Sequence, residues 1–441
     1  MILLALGILL VYGAAKLNGS DTLVVRLWCA VWGISAFACA PIDTRGYADM
    51  STAFLYLWVL TAVLAAGAGW GMFHRRRSQQ NCSPTDSDAW VHVCSKRRHV
   101  SMLVALICLG FLSVQLLLND LGKSIGSFTS VEEITLAAAE ASTERYQNDF
   151  EPHPMTRVLS TFMFLSASFT GWYWRRGTSR WRVVLAIAGF VPALLWTILL
   201  TTKATVLFWL VFYFAAYLAF GDSDYTTQRT SAAPDRSVRT RLIWIAGSAA
   251  LVAFMFLVQL SRYGGDLETQ GDDVVKALTV ASVGHVYAFR DWFEREASLI
   301  PQTFGSRTLA GIFELLGLGI RGIGIYGDNN VYFADSSTNV YSAIRGVTED
   351  LGIPLAIVST FLAGFVSGRI RAGSPNSAPN RAWLSVLLAW TIWSPIASIF
   401  TYNSLVLTCL LFVLFSFQKA SPTHAAKNPQ RSTRLRQLPL R

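Results

Sequence analysis

"SSTNVYSAIRGVTEDLGIPLAIVSTFLAGFVSGRI", residues 336–370, decides how this chain is read. From Pro354 onward it is an apolar run of membrane-helix character that ends on Arg369. Immediately ahead of that run, Asn339, Tyr341, Arg345, Glu349 and Asp350 are bunched together. Ionisable side chains are disfavoured in hydrocarbon, so such a cluster marks either a membrane boundary or a site. The rest of the 441 residues fits the same frame: 53% hydrophobic and only 15% charged is too apolar for an ordinary soluble enzyme. A span takes about 20 mostly apolar residues, and eleven candidates are centred near residues 9, 31, 62, 110, 165, 191, 211, 251, 361, 391 and 410. The expected fold is an all-α polytopic membrane protein of about eleven transmembrane helices: one transmembrane domain over 1–418, then a basic tail at 419–441. The first segment lacks a basic leader and an A-x-A site, so it is read as a retained span rather than a cleaved signal.

Orientation follows from where Lys and Arg fall, because short cytoplasmic loops collect them. Loop 74–100 holds Arg75, Arg76, Arg77, Lys96, Arg97 and Arg98, and further basic groups sit at 175–182, 221–241, 369–381 and in the tail. Most of the 37 basic residues therefore lie on one side, which is expected to be cytoplasmic, with the opposite side net acidic. The overall charge of +10 is thus a matter of topology and gives no reason to invoke nucleic acid. Eleven spans with a cytoplasmic C-terminus put the N-terminus outside and leave two long external loops, 119–156 and 261–350. The apolar segment 309–326 holds Glu314, Arg321 and five glycines, and a crossing there would carry the basic tail outside; it is read as re-entrant or surface-lying.

Metal chemistry has weak support. Cys29, Cys39, Cys108 and Cys409 lie in spans and read as buried structural thiols. Cys82, Cys94, His92 and His99 share a cytoplasmic loop, but C-x11-C and H-x-C match no zinc knuckle. The two "DSD" triplets, at 86–88 and 222–224, sit in polar connectors rather than an α/β domain. No metal and no cofactor is expected.

The external loops carry the ionisable residues that need a reason. Residues 131–147 read as a lid or interfacial helix. Arg157, Lys203 and Arg262 stand at the outer mouths of the fifth, seventh and eighth spans, and Arg290, Arg307, Arg321 and Arg345 add arginines on the same side. Arginine forks and a lysine point charge at a membrane mouth suit a polyanionic lipid head, above all a pyrophosphate on a polyprenyl tail. If 339–350 is a helix, Tyr341, Arg345 and Glu349 stand four apart on one face, with Asn339 and the hydroxyls of 336–338 as its N-cap. The plainer reading of the same residues is a capped helix with a surface ion pair.

The ordered series "LLTTKATVLFWLVFYF", "LVQLSRYGGD", "HVYAFRDWF" and "TNVYSAIRGVTEDLGIPLAIVSTFLAGFVSGRI" resembles the bacterial oligosaccharide repeat-unit polymerases, the Wzy-type O-antigen polymerases, over about residues 195–370. The most distinctive element is T-N-x-Y-x-x-x-R with a later D-x-G leading into a late span, supplied by Thr338, Asn339, Tyr341, Arg345, Asp350 and Gly352. One departure is "DLGIPLA", where many relatives place Gly four residues after the D-x-G.

The resemblance implies a GT-C-like glycosyltransferase of the inner membrane that moves a growing glycan from undecaprenyl pyrophosphate to the next lipid-linked repeat unit, with membrane lipid and a chain-length regulator protein as partners. Leaving-group stabilisation then falls to Arg345, Arg262 and Lys203, with Arg157, Arg290 and Arg321 behind them and Asn339 and Tyr341 as substrate contacts. Glu349, Asp350 and His285 are the candidate bases. An O-antigen ligase would share donor and topology. A lipid-linked oligosaccharide flippase would call for internal repeats and charges buried mid-span, neither of which is seen. A non-catalytic assembly scaffold is the remaining alternative.

Overall fold

A computed structural model describes residues 2–39, 52–79, 96–123, 133, 140, 152–176, 181–221, 250–260, 267–297, 302–318, 331–333, 336–338, 342–372 and 377–417. In chain order the elements are helices α1 (Ile2–Leu17), α2 (Leu23–Cys39), α3 (Thr52–Gln79), α4 (Lys96–Asp120), α5 (Pro154–Arg176), α6 (Trp181–Leu200), α7 (Lys203–Gly221), α8 (Ala250–Leu260), α9 (Leu267–Arg295) and α10 (Ala310–Leu315). A short ribbon follows, β1 (Val331–Phe333) and β2 (Ser336–Thr338), then α11 (Ala343–Ala372), α12 (Ala378–Trp393) and α13 (Asn403–Ser416). Arg262, Arg321, Asn339, Tyr341, Cys82 and Cys94, both DSD triplets and nearly all of 124–151 lie outside the described residues.

Each of the eleven hydrophobic centres falls within a helix. Five helices, α3, α4, α6, α7 and α11, are long and apolar enough to cross a membrane, and α1, α2, α8 and α13 are shorter apolar helices. The chain is therefore a polytopic membrane protein. One buried core joins α4–α7 with α12 and α13, around Phe164, Phe208, Phe212, Trp393 and Phe412. A second joins α1–α3 with the second half of α9 and the start of α11, around Trp28, Trp32, Leu57, Phe289 and Ile344.

Helices α3 and α11 approach each other backbone to backbone. A Cβ placed on Gly67 or Gly71 would run into the carbonyl oxygens of Phe361 or Phe365, and one placed on Gly364 or Gly368 into those of Leu64 or Ala68. Two small-x-x-x-small rows thus interlock, the arrangement that lets membrane helices touch backbone to backbone. Because 67 faces 361 and 71 faces 365, the two helices run parallel.

Helix ends gather at two poles. At one, Arg371 Nη1 donates to the Asp21 carbonyl (2.6 Å), Arg26 pairs with the Asp21 carboxylate (2.6 Å), and Arg381 Nη1 donates to the carbonyl of Ala219 (2.6 Å). At the other, the amide of Ala343 donates to the Ser394 carbonyl (2.8 Å), Tyr287 Oη to the Cys39 carbonyl (2.9 Å), and Thr156 Oγ1 to Asp120 (2.7 Å).

Two expectations change. Residues 336–338 are not an N-cap but strand β2, antiparallel to β1 with Val331 opposite Thr338. Helix α11 begins later, at Ala343, and Ser342 caps it by accepting the amide of Arg345 (3.4 Å). Of 309–326, residues 309–318 are described and hold the six-residue α10, whose Gly311 lies against Tyr402 and Asn403 at the second pole; 319–326 lie outside the described residues.

Candidate functional site

Helix α11 is two helices joined at a break. Gly352 has φ +73° and ψ +165°, a conformation closed to residues with a Cβ, and Pro354 follows in the first turn of the second half. Pro354 has no N–H, so the carbonyl of Asp350 has no helical donor; the break removes the donor of Glu349 as well. Both carbonyls are taken by the 303–308 turn: the amide of Thr303 donates to Glu349 O (3.1 Å) and that of Phe304 to Asp350 O (3.1 Å). The Asp350 carboxylate completes the attachment. Its Oδ1 accepts from Thr303 Oγ1 (2.5 Å) and the amide of Arg307 (3.0 Å), and its Oδ2 from the amide of Thr308 (2.6 Å). Asp350 is thereby a fastener for the turn, with both oxygens occupied.

That turn brings Arg307 to the pair on α11. Arg345 Nε donates to Glu349 Oε1 at 2.7 Å, with the two side chains 3% and 2% exposed. Arg307 Nε stands 3.5 Å from Glu349 Oε2 and its side chain is 47% exposed. The Arg345 guanidinium lies over the Trp292 ring of α9, 5.0 Å from its centroid. One turn along, Thr348 Oγ1 shares a hydrogen bond with Tyr56 Oη of α3 (3.1 Å), and Phe293 stacks on the Tyr56 ring. The expected helical spacing of Arg345 and Glu349 is present, but the pair is buried and braced by α3 and α9. The surface-pair reading is excluded for these two side chains.

The remaining candidates are placed less centrally. His285 is buried in α9, neither ring nitrogen has a hydrogen-bond partner among the described residues, and burial pushes the imidazole down from about 6.5 to about 4. It is neutral at physiological pH. Arg290 pairs with Glu294 (3.4 Å) and lies over Phe54. Arg157 faces Glu314 of α10 (3.7 Å). Lys203 starts α7 just after the strained Thr201 (φ +48°) and makes no ion pair among the described residues. All stand at the pole of the site, but they do not converge on Arg345.

Arg307, Thr303, Thr308 and Trp292 are the site neighbours that sequence reasoning left unassigned. For Thr303, Arg307 and Thr308 the local signal is "TFGSRT", a turn-forming run with side-chain donors and Gly305 at φ +96°, and Trp292 lies in the "HVYAFRDWF" run. Among the described residues no group of three or more metal-ligating side chains gathers. No family model matches the chain, and no match is found among curated proteins or solved structures.

Proposed function

We propose that the chain polymerises lipid-linked oligosaccharide repeat units, with Arg345, Glu349 and Arg307 at the reacting end of the substrate. The observation that carries this reading is the two-arginine embrace of one buried carboxylate, with one of the two arginines half-exposed. Such a place suits an anionic headgroup whose tail remains in lipid. An acceptor sugar hydroxyl attacks the donor's anomeric carbon, the bond from that carbon to the pyrophosphate oxygen breaks, and preorganised guanidinium groups meet the departing charge. Glu349 is the best-placed group to take the hydroxyl proton, because Asp350 is filled by three donors and His285 is buried, distant from Arg345 and Glu349 in sequence and without a hydrogen-bond partner among the described residues.

The positive-inside rule supports the same arrangement. The pole that holds Lys16, Arg26, Arg369, Arg371 and Arg381 is read as cytoplasmic, which puts the site on the outer face of the inner membrane. Deletion of the gene, followed by gel separation of the surface glycan, tests the proposal. A polymerase predicts lipid core bearing a single repeat, and a ligase predicts core with none. Glycan of unchanged length distribution would overturn both.

A further inference from the structure

We propose that the seam between α3 and α11 carries, at the pole opposite Arg345 and Glu349, a groove for one anionic phospholipid of the surrounding membrane: Arg369 and His74 take its phosphate, and the exposed row of α11 takes an acyl chain. The groove stands whether or not the chain polymerises glycan. The seam itself is closed, because Gly67, Gly71, Gly364 and Gly368 bring the two backbones together. Beside it the rings of the two helices meet. His74 of α3 stands between Trp70, one turn back on its own helix (centroids 5.5 Å apart), and Phe365 of α11 (6.4 Å, edge on). The Arg369 guanidinium lies over Phe365, 5.7 Å from its centroid. Trp70, Phe73, His74 and Arg369 are all exposed, and Arg75, next to His74, is the last residue of the apolar span of α3. Exposed rings and cations where an apolar helix ends are the composition of a membrane–water interface.

Two features separate this place from the general excess of positive charge at its pole. The first is the state of its arginine. Arg26 and Arg371 share Asp21, the one acid at that pole among the described residues. Arg369 makes no ion pair among the described residues, and the Phe365 ring holds its guanidinium by a face, which leaves the edge N–H groups for an anion. The unbridged oxygens of a phosphodiester suit that fork. A zwitterionic head brings its own cation, which competes with Arg369 for the same phosphate. The second feature is the apolar track behind the cation. Leu355, Val358, Leu362 and Val366 recur every three or four residues, all exposed, and Arg369 continues the row. From Val366 back to Leu355 is three turns, about 16 Å, close to the ~15 Å of hydrocarbon in one leaflet, half of the whole. An acyl chain lying along that track keeps its phosphate at Arg369.

The test uses the full chain purified in a neutral detergent, with phosphatidylglycerol and phosphatidylcholine of identical acyl chains as probes. Thermal unfolding and native mass spectrometry of retained lipid are the readouts. Phosphatidylglycerol raises the unfolding temperature and stays bound, as a ligand of the folded state does; phosphatidylcholine does so much more weakly. Inorganic phosphate, a head without a chain, gives no shift. Arg369→Ala unfolds like wild type without lipid and weakens phosphatidylglycerol binding about fivefold, the scale of one cation at a lipid surface. Adding His74→Ala weakens it further. Arg369→Lys recovers part of the loss, since a point charge still attracts phosphate but offers no fork. Lys16→Ala is the control for diffuse charge: it removes an exposed cation at the same pole, on α1, whose following turn packs on a different face of α3, where Gly69 meets Ser20. It binds as wild type. An equal response to the two lipids, a shift with inorganic phosphate equal to that with phosphatidylglycerol, Arg369→Ala binding as tightly as wild type, or Lys16→Ala losing as much as Arg369→Ala would each overturn the proposal.

Discussion

Arg345 is the residue at which the two readings of the opening motif separate. A surface pair four residues apart on a helix is worth about 0.3–0.5 kcal/mol, but this pair is buried, so removing one partner strands a charge at a cost of about 3–5 kcal/mol. Glu349→Gln keeps the shape, removes the countercharge of Arg345, and is expected to lower the unfolding temperature of the purified protein as well as its activity. Arg345→Lys keeps the charge but loses the planar fork and the Trp292 face, and is expected to lose most polymerisation, about 2–4 kcal/mol in turnover, at normal protein level. Wild-type chain length in Arg345→Lys would remove Arg345 from the site. His285 makes a different prediction, about pH. Its folded value, about 4, lies below its ordinary value near 6.5, so the unfolded chain binds the proton more readily. Its contribution to stability is complete above about pH 6.5 and is lost as pH falls toward 4, amounting to about 3 kcal/mol over that window. Thermal unfolding of His285→Phe in detergent should accordingly fall less between pH 7 and pH 4.5 than that of wild type.

At the scale of elements, the apolar runs were legible in the sequence because each is a local property of a stretch about as long as a bilayer is thick. The break in α11 was half legible: D-x-G-x-P announces a helix that cannot continue, but not what takes the freed carbonyls. The capping turn was not legible, because Asp350 and its donors are 42–47 residues apart in the chain and nothing local in "TFGSRT" says which carboxylate it will meet. The N-cap assigned to 336–338 failed for a similar reason, since Ser and Thr also suit a strand once a partner such as 331–333 is present. The interlocked glycines could have been found: Gly67 and Gly71, like Gly364 and Gly368, are four apart in apolar helices. Gly71→Ala or Gly368→Ala should force α3 and α11 apart and cost about 1–3 kcal/mol, as overpacking does. Gly13→Ala in α1, where nothing lies within 4 Å, should be neutral or slightly stabilising. Unfolding temperatures of the three variants decide whether the close approach exists.

For the whole molecule, the parallel run of α3 and α11 fixes a parity. Parallel helices in one bilayer are separated by an odd number of crossings, and if α4, α5, α6, α7 and α8 each cross, as the eleven-span reading requires, they supply five. A sixth crossing at 309–326 would make α3 and α11 antiparallel, and the order of contacts, Gly67 with Phe361 and Gly71 with Phe365, would be impossible. The chain on either side of that segment also stays at one pole: Thr303 and Phe304 hold α11, Glu314 faces Arg157, and the β ribbon lies against α9. On that count of crossings the parallel pairing and the charge pattern make the same demand, that 309–326 does not cross. Reporter fusions after residues 85, 230 and 425 are expected to score cytoplasmic, and those after 140 and 270 external. A fusion after 335 is the informative one. It should score external, like that after 270; a cytoplasmic score there would mean that 309–326 crosses, that the α3–α11 pairing is wrong, and that the site built on α11 stands on the opposite face from any lipid-linked donor presented outside.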